Sequence, residues 1–218
     1  MAALVWDTTG ERFYETGVDH GVLYVMNTDG TYGEGVAWNG LVSVSESPSG
    51  AEANAVYADN IKYLNIISTE EFGATVEAYT YPDEFMLCDG SATLGTGVYI
   101  GQQARRNFGL VYRTRLGNDV VGDSLGYKIH IIYNATASPS EKAYQTVNDS
   151  PEAITFSWEI TTTAINATGF RPTASLVIDS VKADATKLAS IEAKLFGATS
   201  SDAELLLPDD IKAILAGS

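Results

Sequence analysis

From about Arg12 to Ile178 the chain is a succession of short runs rich in Val, Ile, Thr and Tyr, each cut within a few residues by Gly, Asn, Asp or Pro. Runs of that length and composition suit pleated, half-buried strands, and the breakers between them suit turns. The pattern constrains the fold to one mostly β domain, an antiparallel β-sandwich or barrel.

The strand periodicity is clearest in two places. In residues 127–133, Tyr127, Ile129, Ile131 and Tyr133 share one face while Lys128 and His130 take the other, as expected of a half-buried strand. Residues 154–160 repeat the design, with Ile154, Phe156, Trp158 and Ile160 opposite Thr155, Ser157 and Glu159, so the two strands are expected to face each other across a sandwich. Further strands are expected over 22–26, 35–46, 53–57, 61–68, 74–81, 97–101, 107–116 and 175–178. Small polar residues dominate 43–56 and give it few anchors, which predicts a projecting hairpin arm at about 43–60.

After Ile178 the period changes. Leu188, Ile191 and Leu195 recur at helical spacing with Gly197 as a stop, predicting a flanking amphipathic helix over about 182–196. Pro208, followed by Asp209 and Asp210, announces a short C-terminal helix. The expected organisation is a β domain over 1–181, including the arm, and a helical segment over 182–218 that packs on the same domain or on a neighbouring subunit.

Composition narrows the function. The single cysteine, Cys88, excludes an internal disulfide framework or a multi-thiolate metal cluster within one subunit, and reads as a small, partly buried hydrophobe. No apolar run approaches the roughly 20 residues of a membrane-spanning helix. The N-terminal stretch lacks the basic start and apolar core of a secretory signal, so no export and no membrane partner are expected. A net charge of -15 disfavours conventional nucleic-acid binding.

Catalytic motifs are equally scarce. Only His20, in a turn-like stretch, and His130, on the polar face of a strand, are present, and neither has a second imidazole or thiol at metal-ligand spacing. Asn27-Thr28-Asp29-Gly30 lacks the spaced acidic ligands of a calcium loop and reads as a β-turn. The glycine-rich stretch 90–97 has no Lys-Ser/Thr pair after it to hold phosphate and reads as a flexible loop. No cofactor, metal or catalytic residue is assigned, and no enzyme is expected. The one basic concentration, Arg105, Arg106, Arg113 and Arg115, suits an acidic cluster on the next copy of the chain better than nucleic acid.

Several segments together resemble the major tail tube proteins of siphophages, bacterial viruses with long non-contractile tails. They are EFGATVEAYTYPDEF at 71–85, CDG at 88–90, GQQARRNFGLVYRTR at 101–115, GYKIHIIYN at 126–134, 174–182, and LPDDI at 207–211. The resemblance spans most of the chain. It implies a β-sandwich flanked by a helix, subunits in hexameric rings, and rings stacked into a hollow tube in the virion tail, assembled in the host cytoplasm, through which the genome leaves. Tail tip, tape measure and tail terminator proteins would be its partners, and double-stranded DNA would pass without specific binding.

Carried onto this chain, the region 35–68 would supply lumen-lining strands and a ring-to-ring arm. Because duplex DNA carries a phosphate charge about every 1.7 Å, an acidic wall would not hold it. Glu46, Glu52, Glu70, Glu71 and Glu77 are the expected lumen carboxylates. Inter-subunit contacts are expected from the four arginines, from Ser47, Pro48 and Ser49 in the arm, and from Asp209 and Asp210. The alternatives are a tail terminator or neck subunit, which would form one ring, or a carbohydrate-binding sandwich using Trp6, Trp38 and Tyr99.

Overall fold

The computed structural model describes residues 3–147, 149 and 152–217; Met1 and Ala2, at the start of the N-terminal stretch considered above, lie outside them. The strands are β1 (Phe13–Met26), β2 (Tyr32–Trp38), β3 (Leu41–Glu46), β4 (Ala53–Ala58), β5 (Ile61–Ile67), β6 (Gly73–Ala78), β7 (Ala92–Gly95), β8 (Val98–Ile100), β9 (Phe108–Asn118), β10 (Gly122–Ala137), β11 (Phe156–Thr162) and β12 (Ser175–Asp179). Among the described residues the α-helices are α1 (Met86–Asp89), preceded by a 3-10 turn at Asp83–Phe85, α2 (Ala185–Leu195) and α3 (Pro208–Ala216). The protein is mostly β, its sheets are antiparallel, and its helices are short, as the strand pattern requires.

One eight-stranded sheet runs in the order β2-β1-β9-β10-β11-β6-β3, with β12 also paired to β10. The two ends of this path, β2 and β3, are consecutive in the chain and separated only by Asn39 and Gly40, so the sheet must curl until its edges meet. Gly40 makes that corner with φ 75°, and its carbonyl accepts from the Tyr79 amide at 2.9 Å. The single strand expected over 35–46 is broken at this corner.

The curled sheet encloses one core and carries a second on its outside. Inside, Trp158 packs against Trp38, Phe85, Tyr81 and Phe156, with Leu110, Ile132 and Ile160 around them. Outside, Leu188, Ile191 and Leu195 of α2 and Ile211 of α3 cover Val111, Ile129, Ile131 and Tyr133. Each such side chain, fully buried, contributes about 1.5–3 kcal/mol. The helical segment thus packs on its own β domain. Asp184 caps α2 by accepting from the Thr186 and Lys187 amides, and Asp210 accepts from the Leu207 amide at the start of α3.

β10 is therefore buried on both faces at its centre, where a half-buried strand was expected. Asn134 sits at φ 47° in a bulge of the β9–β10 pairing, after which Ala135 and Ala137 face the inner core. β10 and β11 do not face each other across a sandwich: they are hydrogen-bonded neighbours, Ala135 opposite Thr162 and Ala137 opposite Ile160. Alternation shows which face of a strand is buried, but not what lies against it. Two local expectations also change. His20 lies within β1 at φ 52°, at a register shift. The stretch 90–97 is partly a hairpin, with Ala92 paired to Ile100 and Thr93 to Tyr99. The turn at 27–30 is as expected, the Asn27 amide donating to the Thr31 carbonyl at 2.7 Å and Gly30 adopting φ 85°.

Candidate assembly surface

The β3–β6 pairing does not stop at the body. Beyond Glu46 and Ala74 the Ser47 amide donates to the Gly73 carbonyl, Ser49 and Glu71 exchange two backbone hydrogen bonds at 2.8 Å, and β4 then pairs with β5 from Ala53–Ile67 to Ala58–Ile61. The result is a two-stranded ribbon closed by Asp59 and Asn60, both at positive φ, as a two-residue hairpin turn needs. At about 3.3 Å per residue, the six residues of β4 carry the ribbon about 20 Å beyond its root. Gly50 makes the root possible: its φ is 83°, and a Cβ there would meet the Thr69 carbonyl oxygen at 2.3 Å. The arm expected at about 43–60 leaves the body later and returns further along the chain, because Val44 faces the inner core and keeps β3 in the main sheet.

Every residue of β5 is exposed. A register shift at Tyr63 puts Ile61 on the same face as Leu64 and Ile66, while Tyr57 and Ile67 lie on the other, so both faces of the ribbon carry apolar side chains, and Tyr57 near its far end is 70% exposed. A lone hairpin is marginal in water, and an uncovered apolar strand is a pairing site. Of the arm residues expected at subunit contacts, Ser47 and Ser49 form the paired root, with Pro48 exposed between them.

The expected wall carboxylates divide. Glu77 is on the outer face of β6, where it accepts from Ser43 Oγ at 2.8 Å. Thr75, Ser45, Ser157 and Glu159 lie beside it in register, forming a polar, acidic sheet face. Glu46 is opposite Ala74 on the inner face, so it and Glu77 cannot line one wall. Glu52, Glu70 and Glu71 are exposed at the ribbon root.

Glu46 instead belongs to a polar cluster at the open end of the curled sheet. It accepts from Tyr112 Oη at 2.5 Å and lies 3.2 Å from His130 Nδ1, while His130 Nε2 is 3.0 Å from Thr114 Oγ1 and its ring stacks on Tyr112 at 4.7 Å. Hydrogen bonding to His130 and Tyr112 holds the Glu46 carboxyl below its ordinary pKa against the opposing effect of burial. Nearby, Glu15 accepts from Lys128 Nζ at 2.5 Å and from Thr114 Oγ1. Burial would raise the Glu15 pKa, but these partners outweigh it and the net shift is downward.

The arginines find partners within the chain. Antiparallel pairing sets Asp19 of β1 opposite Arg113 of β9, and Asp19 accepts from Arg113 Nε at 2.9 Å and Arg115 Nε at 3.2 Å. Arg115 also reaches Asp123 at 3.3 Å. Burial opposes ionisation of Asp19, yet these donors and His20 hold its pKa down. Arg105 donates to the Ala137 carbonyl at 2.8 Å and approaches Asp89 at 4.0 Å. Asp89, nearly buried, accepts from Trp158 Nε1 at 3.2 Å and Lys142 Nζ at 2.5 Å. The carboxylate expected on a neighbouring copy is thus in the same chain for Arg113 and Arg115. Arg106 is half-buried and its amide donates to the Leu87 carbonyl.

Asp19 was not singled out in the sequence because its partners are 94 and 96 residues away; a cross-strand match with Arg113 was the only signal. Asp209 accepts from the amide and hydroxyl of Thr168, and Asp210 caps α3. Trp38 is 3% exposed and cannot stack on a sugar. Burial pushes the Cys88 thiol up to about 12, which keeps it a neutral core residue. Among the described residues no helix is long and apolar enough to cross a membrane.

No protein-family model matches the chain, and no curated protein matches it. Among solved structures it is similar to a chain of the anti-feeding prophage baseplate, at 9% identity and TM-score 0.37, covering 83% of this chain and 100% of that one. It is also similar to a chain of the PVC sheath-tube complex, an extracellular contractile injection system in its extended state, at 12% identity and TM-score 0.31, covering 80% of this chain and 93% of that one.

Proposed function

We propose that this chain is a structural subunit, with no catalytic role, that assembles with copies of itself into stacked six-membered rings forming the hollow tail tube of a long-tailed bacterial virus. The observation that carries this reading is the β4–β5 ribbon: it projects beyond the Ser49–Glu71 root with apolar side chains uncovered on both faces. Such a ribbon is stable only when another surface covers it, and a neighbouring ring of the same chain is the surface a tube supplies. Under this reading the outer face bearing Glu77 and Glu159 lines the lumen and lets duplex DNA pass without binding. The tail tip, tape measure and tail terminator would be the partners, in a virion tail assembled in the host cytoplasm.

Negative-stain electron microscopy of the purified chain at rising concentration tests the reading. Stacked hollow rings that lengthen with concentration are expected. Discrete single rings would replace it with a terminator or neck role, and persistent monomers would overturn self-assembly.

A further inference from the structure

Besides the ribbon, the chain leaves a second apolar surface uncovered. The loop between β11 and β12, β12 itself and α3 enclose a groove of about 460 Å³ lined by Phe170, Leu176, Ile211 and Leu215, together with the exposed cations Arg171 and Lys212. Phe170 is 76% exposed. The groove is held open by hydrogen bonds: Thr168 donates through its amide and hydroxyl to Asp209, and Lys212 donates to the Thr168 carbonyl at 2.8 Å. Asp209 and Lys212 are committed there, whereas Arg171 makes no ion pair among the described residues. The site is thus an apolar trough with one unmatched guanidinium, in a chain whose net charge is -15.

The ribbon tip has the complementary chemistry. Ile61 and Leu64, 62% and 42% exposed, share one ribbon face beside the turn through their pairing with Ala58 and Val56, and Asp59 stands at the apex as its single carboxylate. A trough of this size falls in the range of about 300–1,000 Å³ typical of small-ligand sites, room enough for two large side chains. An Arg beside it can grip a carboxylate through two parallel hydrogen bonds.

We propose that the ribbon tip of one copy seats in the α3 groove of another, with Ile61 and Leu64 in the trough and Asp59 on Arg171. This rests on the self-assembly proposed above and names the acceptor for the arm. Such a contact is heterologous, since the donor and acceptor surfaces differ, and a heterologous contact propagates from copy to copy instead of closing on itself in a pair.

Charge reversal tests it. Asp59→Arg and Arg171→Asp are each expected to raise the critical concentration for polymer growth about tenfold or more, while the double variant restores it. Growth of Arg171→Asp at the wild-type concentration, or failure of the double variant to recover, overturns the groove assignment and leaves self-assembly standing. Wild-type chain that never polymerises overturns both. Because a reversal can impair folding, Asp59→Cys and Arg171→Cys proteins are also mixed and oxidised; the native Cys88 is buried and stays silent. A disulfide between the two variants in the polymer is expected, and polymer without it overturns the docking.

Discussion

Glu46 closes the open end of the curled sheet, joining the end of β3 to Tyr112 on β9 and His130 on β10. Its carboxyl, like those of Glu15 and Asp19, is held below its ordinary pKa in the fold. The stabilisation is therefore complete above the unfolded value of about 4, and it is lost as pH falls through the lower folded values. Urea unfolding followed by tryptophan fluorescence is expected to show a midpoint that drops from pH 6 to pH 3. Glu46→Gln should be less stable at pH 7 by about 1 kcal/mol and show a smaller acid loss; an equal acid loss in the variant would mean that Glu46 takes no part. Gly50 governs the ribbon root in a different way. Gly50→Ala places a Cβ against the Thr69 carbonyl at a positive φ, at a cost of about 1 kcal/mol or more. Amide exchange should speed up at Ser49 and Glu71, whose bonds form the root, while β9 and β10 keep their protection.

The ribbon and the sheet it grows from are separable elements. Among the elements of the body, β9 and β10 make the most extensive pairing, and the ribbon adds nothing to either core. Replacing 51–70 with a short Gly-Ser turn should leave the unfolding temperature within a few degrees of wild type and abolish long polymers; a variant that polymerises normally would show that the ribbon is not the assembly element. Helices α2 and α3 were legible from the spacing of Leu188, Ile191 and Leu195 and from Pro208, because a helix displays its buried face and its caps within one short segment, whereas the single turn of α1 was not. Most strand positions were legible too, from alternation. The arm was displaced because its two legs lie on either side of Asp59 and Asn60, and its return leg reads as an ordinary strand: nothing in Ile61–Ile67 says that its apolar residues are uncovered. The Arg113 and Arg115 partner was missed for the same reason, since only the β1–β9 register brings Asp19 to them.

At the scale of the whole molecule, the curled sheet sorts the excess negative charge by face. Inner-face carboxylates such as Glu46 are engaged in the cluster at the open end, and helices cover part of the outer surface, but the outer face of β3, β6 and β11 presents Glu77 and Glu159 among Ser and Thr. If this face lines a tube, its charge repels duplex DNA over a screening length of roughly 8 Å at physiological salt, so it acts as a coat against adhesion, not as a barrier to entry. Glu77→Gln with Glu159→Gln removes the coat without touching the ribbon or either core. Polymer should form at the wild-type critical concentration, and DNA should leave virions built from the variant more slowly, with the deficit growing as salt is lowered and repulsion in the wild type reaches further. Equal exit rates at low salt would place the lumen on another face of the sheet, leaving the ribbon's role to be judged by its own deletion.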